Sequence, residues 1–197
     1  MAGHRIIPLS ELSAKQVMSI AQIHVLVMDS LLSQLGLLVV ERYYQIACAD
    51  ASVIGCCAIS QSGVPLGWAI GSSAPSQLNE RLRAALGWRP LLRSIVRSPR
   101  LIWQIFISSR TASAPLKPGA MELTYISVDT ASRNLGLGRE LLNAFLAQAQ
   151  ARGFQSVALS VEAENVAALT LYKQAGFQVV NSFREGRYNR LRMELTF

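Results

Sequence analysis

Residues 123 to 141 read Leu123-Thr124-Tyr125-Ile126-Ser127-Val128-Asp129-Thr130-Ala131-Ser132-Arg133-Asn134-Leu135-Gly136-Leu137-Gly138-Arg139-Glu140-Leu141. The first six residues alternate as in a strand, and helical spacing begins after Gly136, so the pattern predicts a strand, a glycine-containing loop and a helix. Such a junction leaves main-chain N–H groups without partners at the positive end of the helix dipole. These groups can bind phosphate, and glycines let phosphate oxygens approach the main chain closely.

The loop itself has the spacing Arg-x-x-Gly-x-Gly, from Arg133 to Gly138. It lacks the Gly-Lys-Ser/Thr of a P-loop and does not match the Gly-x-Gly-x-x-Gly of dinucleotide-binding loops. Taken alone, the spacing also fits an ordinary tight turn into a helix. It resembles the pyrophosphate loop of the GCN5-related N-acetyltransferases, the GNAT family, whose pattern is Gln/Arg-x-x-Gly-x-Gly/Ala.

A second segment is similar to another motif of the same family. It reads Asn165-Val166-Ala167-Ala168-Leu169-Thr170-Leu171-Tyr172-Lys173-Gln174-Ala175-Gly176-Phe177. The family pattern is Asn-x-x-Ala-x-x-Leu-Tyr-x-x-x-Gly-Phe, and every fixed position is filled. The two motifs stand in the expected order, and the resemblance covers residues 121 to 185.

The resemblance implies a single α/β domain over residues 1–197, with a mixed, mostly antiparallel sheet flanked by helices. It also implies acetyl-CoA as co-substrate, with no metal. The pyrophosphate would lie on the loop amides, and the pantetheine arm would pair with the preceding strand like an added strand. Arg139 can neutralise phosphate charge, and the alternative is a solvated arginine at the start of a helix. Asn165 can bond the amide arm of the cofactor, and the alternative is that it only caps its helix. The implied cofactor-binding residues are Ile126, Val128, Arg133, Asn134, Leu135, Gly136, Leu137, Gly138, Arg139 and Asn165.

The family's reaction is direct attack of an amine on the thioester within a ternary complex. The amine must be neutral, although a free alkylamine has a pKa near ~10.4, and a main-chain N–H of the central strand can stabilise the oxyanion. The departing thiolate, whose thiol has a pKa near ~8.5, benefits from a proton. Tyr172 is the candidate acid, and the alternative is a tyrosine that only packs.

Glu122 is the candidate general base. It lies eleven residues before Arg133, where the histone-acetylating branch of the family carries its glutamate base. Strand alternation predicts that Glu122, Thr124 and Ile126 share one face, so that the carboxylate looks into the acceptor slot, directly or through a water. The alternatives are an exposed strand-end glutamate at 122 and a base at Glu162.

Composition sets the outer limits. The chain has 197 residues, of which 51% are hydrophobic and 16% charged, which excludes disorder. The net charge of +7 suits an anionic cofactor, but it suits nucleic acid or an anionic membrane equally well. The apolar run at the start of the chain is too short for the core of a signal peptide, and no other apolar run is long enough to span a membrane.

The cysteines predict a reducing, cytoplasmic location. There are three, and two of them, Cys56 and Cys57, are adjacent, which does not make a disulfide framework. We interpret all three as buried hydrophobes, with Cys56 and Cys57 on opposite faces of one strand. No spacing suggests zinc, and His4 and His24 stand apart in the sequence.

The remaining patterns give a coarse order of elements. They predict a first strand over Arg5–Leu9, a helix capped by Ser10 that runs to about Met28, and a break at residues 29–33 near the substrate. A helix over residues 35–49, a hairpin of residues 53–59 and 64–70, and a terminal hairpin around Glu185-Gly186 are also expected.

Residues 74–118 are predicted to form a helical insertion rich in arginine. Arg89, Arg93 and Arg97 fall on one helical face. That face is either simply solvated, or it is a lid over an anionic substrate or a patch that touches a membrane surface.

The leading functional hypothesis is N-acetylation of a small-molecule amine. A protein N-terminus or lysine is the alternative acceptor, and a CoA-binding module without turnover, located by the insertion, is the alternative of another class. We expect no nucleic-acid partner, no membrane span, peripheral membrane contact at most, and a monomer or homodimer.

Overall fold

A computed structural model describes residues 3–86, 116–186 and 188–197. Most of the predicted insertion, including the arginine face at Arg89, Arg93 and Arg97, lies outside the described residues. That the whole chain forms one domain stays a prediction.

The described residues form a seven-stranded sheet with the order β1-β2-β3-β4-β5-β7-β6. Every neighbouring pair is antiparallel except β4 and β5, which are parallel. The predicted mixed, mostly antiparallel α/β sheet is therefore confirmed. The strands are β1 His4–Pro8, β2 Val53–Ser60, β3 Pro65–Ser72, β4 Ala120–Val128, β5 Ser156–Glu162, β6 Gln178–Glu185 and β7 Tyr188–Thr196.

Six α-helices in the described ranges cover the two faces of the sheet. One apolar cluster packs the first helices on one face, and a second packs the later helices on the other. Cys57 belongs to the first cluster and Cys56 to the second, so the expected opposite orientation is confirmed. The helices are α1 Ala14–Val27, α2 Leu31–Gln34, α3 Leu37–Ala49, α4 Pro75–Leu86, α5 Leu137–Ala151 and α6 Val166–Gln174.

Two predicted boundaries near the N-terminus were wrong. The N-cap of α1 is Ser13, whose hydroxyl accepts from Gln16 N–H while the Gln16 side chain accepts from Ser13 N–H. This reciprocal capping box satisfies two N–H groups, which Ser10, inside a 3₁₀ turn, does not do. The predicted break at residues 29–33 overlaps the single turn of α2, Leu31–Gln34, which Ser30 caps.

The sheet opens between β4 and β5. These strands pair only from Ala120 with Ser156 to Leu123 with Leu159. Beyond Leu123, β4 continues to Val128 while β5 continues to Glu162 without pairing to it. The two strands therefore diverge towards their carboxyl ends and leave a wedge between them.

A bulge in β4 sits at the start of this wedge. Gly71 of β3 pairs with Leu123, and the next residue back, Ile70, pairs with Tyr125, so Thr124 is the extra residue. A bulge reverses the alternation of the strand that carries it. Leu123 and Ile126 consequently both contact the second cluster.

The bulge corrects one prediction about Glu122. Its neighbours Met121 and Leu123 pack into the second cluster, so Glu122 points to the opposite face, the side on which Tyr125 meets the first cluster. The expectation that Glu122 shares a face with Ile126 was therefore wrong, because simple alternation does not hold through Thr124.

Candidate active site

The wedge between β4 and β5 is a cleft of about 610 Å³. Four parts of the chain line it: the end of β4, the glycine loop, the end of β5 with α6, and the connection between α1 and α2. The lining residues are Val27, Met28, Asp29, Ser30, Thr124, Tyr125, Ile126, Ser127, Val128, Arg133, Gly138, Ser160, Val161, Glu162, Asn165, Ala167, Ala168, Leu171, Tyr172 and Arg190.

The glycine loop ends in a left-handed turn that exposes its amides. Asn134 has φ 63° and Gly136 has φ 82°. Gly136 is the N-cap of α5 and offers no side chain to cap the helix. The N–H groups of residues 134 to 138 precede the first internal hydrogen bonds of α5, and no other main-chain hydrogen bond of the described residues uses them. This is the chemistry of an anion site at a helix N-terminus.

Packing within the protein does not explain why position 138, which lines the cleft, is a glycine. A Cβ added there would lie 3.7 Å from Leu171 Cδ2 and 3.9 Å from Val128 Cγ2, which are ordinary contacts. The protein itself therefore has room for alanine at this position. A side chain at position 138 would instead occupy space in the cleft, beside the exposed amides.

The β4 edge that faces the cleft carries main-chain groups without a partner strand. Asp129 N–H donates to Leu66 O at 2.8 Å, towards β3. Successive residues of a strand present their N–H and C=O groups to alternate sides. Val128 and Ile126 therefore turn theirs away from β3, towards the wedge. An extended chain in the wedge could pair with them.

The two loop arginines differ in their surroundings. Arg133 lines the cleft, and its Nε donates to Val128 O at 3.5 Å. Arg139 donates to the Gln174 side chain and so connects the start of α5 to the end of α6. Arg133 is the arginine placed to meet an anion in the cleft.

Tyr172 and Asn165 enter the cleft from α6. Tyr172 is 6% exposed and packs on Phe177, with ring centroids 5.7 Å apart. Burial raises the pKa of the Tyr172 hydroxyl to about 12, so it carries its proton throughout the neutral range. The Asn165 side chain accepts from Ala168 N–H at 3.1 Å and caps α6, as one of the two sequence-based interpretations expected.

A second pocket of about 270 Å³ adjoins the cleft on the side of Glu122. It lies among β4, the β6–β7 hairpin and the α1–α2 connection. The two cavities share the boundary residues Asp29, Ser30, Thr124, Tyr125, Ser160 and Arg190. A molecule in this pocket would therefore meet a molecule in the cleft at that boundary.

The acids around this pocket are paired with arginines or a tyrosine. Arg192 Nη1 donates to Glu122 Oε1 at 2.8 Å. Arg190 Nε donates to Glu185 Oε2 at 2.6 Å, and its Nη1 lies 3.9 Å from Glu162 Oε1. The two candidate bases therefore each face an arginine of β7.

Sequence reasoning missed Arg190 and Arg192 because they stand in a terminal strand with no motif. The only available signal was a pair of charges two apart, Arg190-Leu191-Arg192, which in a strand places both on one face. The bond from Tyr188 Oη to Asp29 Oδ2 at 2.6 Å, which joins β7 to the α1–α2 connection, had no signal at all.

Two further observations concern the described residues only. Residues 3–86, 116–186 and 188–197 contain no group of three or more His, Cys, Asp or Glu arranged to hold a metal ion. Within the same part of the chain, no helix combines the length and hydropathy that a membrane crossing needs.

A model of the acetyltransferase (GNAT) family matches residues 27–177. This match spans most of the chain and contains both motifs and every residue that lines the cleft except Arg190. The protein therefore belongs to the GNAT acetyltransferase family, as the motifs predicted.

Particular relatives are similar over shorter stretches or in fold alone. Mycothiol acetyltransferase of Geodermatophilus obscurus is 41% identical over 56 residues, which are 28% of this chain and 18% of that protein. Two solved structures share the fold. The ribosomal-protein-S18-alanine N-acetyltransferase of Escherichia coli has a TM-score of 0.61 at 17% identity, covering 98% of this chain and 94% of that one. The paia N-acetyltransferase of Thermoplasma acidophilum, solved with coenzyme A, has a TM-score of 0.61 at 10% identity, covering 99% of each chain.

Proposed function

We propose that this protein transfers the acetyl group of acetyl-CoA to a primary amine of a small molecule, by direct attack in a ternary complex. The observation that carries the proposal is the junction of two cavities. One is lined by Gly138 of the glycine loop and by an open strand edge, the other by the carboxylates of Asp29, Glu122 and Glu185, and Tyr172 lies on the first. Binding of coenzyme A by the Thermoplasma structure, which has the same fold, supports the assignment of the first cavity.

The donor side is built for a long anionic ligand. Residues 134 to 138 offer their N–H groups to the pyrophosphate, and Arg133 adds positive charge. Ile126 and Val128 offer main-chain groups to the amides of the pantetheine arm. Acetyl-CoA supplies the activated acyl group when it is bound there.

Tyr172 acts as the general acid in this proposal. Its raised pKa of about 12 keeps the hydroxyl protonated at neutral pH, so it has a proton to give to the departing sulfur. The second motif and the position on the cleft together support this role over packing alone.

Glu122 remains the proposed base, with Glu162 as the second candidate. Glu122 lines the acceptor pocket, and the contact with Arg192 uses only Oε1. Glu162 lines the donor cleft instead and is not among the residues of the acceptor pocket. A base must reach the amine directly or through one water, and Glu122 lies on the side from which the amine would enter.

A small acceptor fits the second cavity. Its volume is about 270 Å³, and Tyr188 bonds Asp29 between two of the elements that line it. A polypeptide acceptor would need a continuous groove at that place. The name of the Geodermatophilus relative, an acetyltransferase of mycothiol, is compatible with a small acceptor.

The first experiment is an acceptor screen with the wild-type protein. Release of free CoA from acetyl-CoA would be measured with putrescine, tyramine, glucosamine and an alanine-initiated hexapeptide, and products would be identified by mass. We expect acetylation of at least one small amine with little turnover of the peptide. Turnover of the peptide alone would overturn the proposed acceptor class, and CoA binding without any turnover would favour a non-catalytic module.

The proposed base is tested by two matched variants, Glu122→Gln and Glu162→Gln. We expect Glu122→Gln to lower kcat, while Glu162→Gln keeps the kcat of the wild type. The reverse pattern would assign the base to Glu162, and an unchanged kcat in both variants would point to a water chain.

The three cysteines support a cytoplasmic location within this proposal. Cys48, Cys56 and Cys57 are free thiols, and burial raises the pKa of Cys56 and of Cys57 to about 12. Free thiols are typical of a reducing compartment.

A further inference from the structure

A buried histidine stands behind the boundary between the two cavities. His24, on α1, has no exposed surface. Its Nδ1 lies 2.7 Å from Tyr44 Oη, and its Nε2 lies 3.0 Å from Ser30 Oγ. The ring is also enclosed by Tyr125, at 4.8 Å edge-on, and by Trp68, stacked at 6.2 Å. Both nitrogens are thus occupied and the ring is fixed in orientation.

The imidazole in this cage is neutral. Burial lowers the pKa of His24 to about 4, so it is uncharged at neutral pH. A neutral imidazole has one donor and one acceptor nitrogen, and the Tyr44 hydroxyl can take either role. With the proton on Nδ1, the ring donates to Tyr44 and its Nε2 accepts from the Ser30 hydroxyl, which leaves both acceptor positions of the Ser30 oxygen for other donors.

Ser30 is the residue through which this buried group reaches the site. It is half-buried, and it lines both the donor cleft and the acceptor pocket. Its oxygen also accepts from Ser33 N–H at 3.0 Å and lies 2.8 Å from Ser33 Oγ. A serine oxygen donates one hydrogen bond and accepts two, so with Ser30 O–H donated to His24 and one acceptor position used by Ser33 N–H, a ligand N–H takes the second acceptor position by displacing the Ser33 hydroxyl.

Three other polar residues of the boundary are less suited to hold a neutral amine. Arg190 is a cation that pairs with Glu185, and Ser160 lies 3.2 Å from Arg192 Nη1. Asp29 accepts from the Tyr188 hydroxyl. A hydroxyl oxygen, by contrast, can accept one N–H of the amine and leave the nitrogen lone pair free for attack.

We propose that Ser30 binds the attacking nitrogen of the acceptor, and that His24, held by Tyr44, positions the Ser30 hydroxyl for this contact. The inference rests on the proposed function, since it names the acceptor-side residue of that reaction. Ser30 touches the substrate and is a binding residue, whereas His24 and Tyr44 act through it.

The test compares substitutions at Ser30 with a matched serine elsewhere. Ser30→Ala removes the hydroxyl and Ser30→Thr keeps it. Ser19→Ala is the control, because the Ser19 hydroxyl donates to the Lys15 carbonyl of its own helix and Ser19 is not among the residues that line either cavity. Each variant would be assayed for kcat and for the KM of the amine and of acetyl-CoA, with the amine that the wild type acetylates fastest.

We expect Ser30→Ala to lower kcat/KM for the amine about 10- to 100-fold, with CoA affinity unchanged within about twofold. Ser30→Thr should recover most of the loss, and Ser19→Ala should match the wild type. Tyr44→Phe should lower kcat/KM for the amine about 3- to 10-fold, again with CoA affinity unchanged. The proposal would be overturned if Ser30→Ala kept the wild-type kcat/KM for the amine, or if its CoA affinity fell by the same factor as that kcat/KM.

A binding measurement separates this inference from the proposed reaction. The same four acceptors would be titrated calorimetrically into CoA-saturated wild type and Ser30→Ala. If the wild type binds an amine without acetylating it, the proposed reaction fails, while weaker binding by Ser30→Ala still supports the role of Ser30. Equal binding by both proteins, or no binding by the wild type, would overturn the role of Ser30.

Discussion

Arg192 Nη1 bonds Glu122 Oε1 at 2.8 Å, across the strand that lies between them. Arg192 is on β7 and Glu122 on β4, and the same nitrogen lies 3.2 Å from Ser160 Oγ on the intervening β5. The bonds sit where pairing of β4 with β5 stops, at Leu123 and Leu159. The guanidinium therefore joins three strands at the point where the cleft begins.

The contributions of Glu122 and Arg192 to the free energy of unfolding should be coupled. Arg192 is 6% exposed, so removal of the Glu122 carboxylate leaves the nearly buried Arg192 charge without its partner. We expect Glu122→Leu to lower the free energy of unfolding by about 3 kcal/mol, and the double variant with Arg192→Leu to lose less than the two single losses added together. Urea unfolding of the four proteins checks this. Strictly additive losses would mean that the contact contributes nothing.

Gly138 and Gly153 should respond to alanine in opposite ways. Gly138 has room for a Cβ and lies in a helix, where alanine is favourable, but it borders the exposed amides of the donor cleft. We expect Gly138→Ala to keep or raise the thermal midpoint and to weaken CoA binding about tenfold by crowding the ligand. Calorimetric titration with CoA and a thermal melt would measure the two effects.

The control is Gly153→Ala, at the end of α5. Gly153 has φ 79°, which strains an L-residue, so alanine should destabilise the fold by about 1 kcal/mol and leave CoA affinity unchanged. If both variants bind CoA like the wild type, the glycine loop is not the phosphate site.

Removal of the Tyr172 hydroxyl should slow the reaction without weakening donor binding. Tyr172→Phe keeps the ring on Phe177, so we expect the same thermal midpoint and CoA affinity, with kcat lower by about 10²-fold. Because the pKa of Tyr172 is raised to about 12, the wild type should show no loss of activity from its ionisation below about pH 10. An unchanged kcat in the variant would reduce Tyr172 to a packing residue.

His24 should make the fold sensitive to acid. Its pKa is lowered from 6.5 to about 4, so the unfolded chain takes up a proton at a pH where the folded one does not. Stability from this group is therefore present above pH 6.5 and is lost as the pH falls towards 4. Between pH 7.5 and pH 4.5 we expect a loss of about 2.5 kcal/mol from this residue.

The comparison with His24→Asn isolates that contribution from those of the carboxylates. The variant should be less stable at pH 7.5, but its stability should fall less steeply down to pH 4.5. Denaturant unfolding at the two pH values gives both slopes. Equal slopes would show that His24 keeps an ordinary pKa in the folded protein.

The sequence motifs predicted the elements of the donor half, a strand, a glycine loop and two helices, because these motifs are local. A loop, its glycines and the following helix lie within a few turns of chain, so the spacing from Arg133 to Gly138 already describes their geometry. The same holds for Asn165 and Tyr172, which share one short helix. In both cases the physical requirement and the residues that meet it are close in sequence.

The acceptor half was not predictable in the same way, because its contacts join distant segments. His24 meets Tyr44 and Ser30 only after α1 and α3 have packed, and Arg192 meets Glu122 only across a completed sheet. The bulge at Thr124 arises from pairing with β3 rather than from a glycine or proline in β4, so alternation gave the wrong face for Glu122.

The opening between β4 and β5 has a consequence for how this protein could change. The residues proposed to bind the donor and to protonate its sulfur all come from the single block between residues 120 and 174. The walls on the other side come from separate pieces near residues 24–34 and 183–192. New acceptors could therefore be accommodated by altering those short pieces, while the contiguous block that handles the thioester is inherited intact.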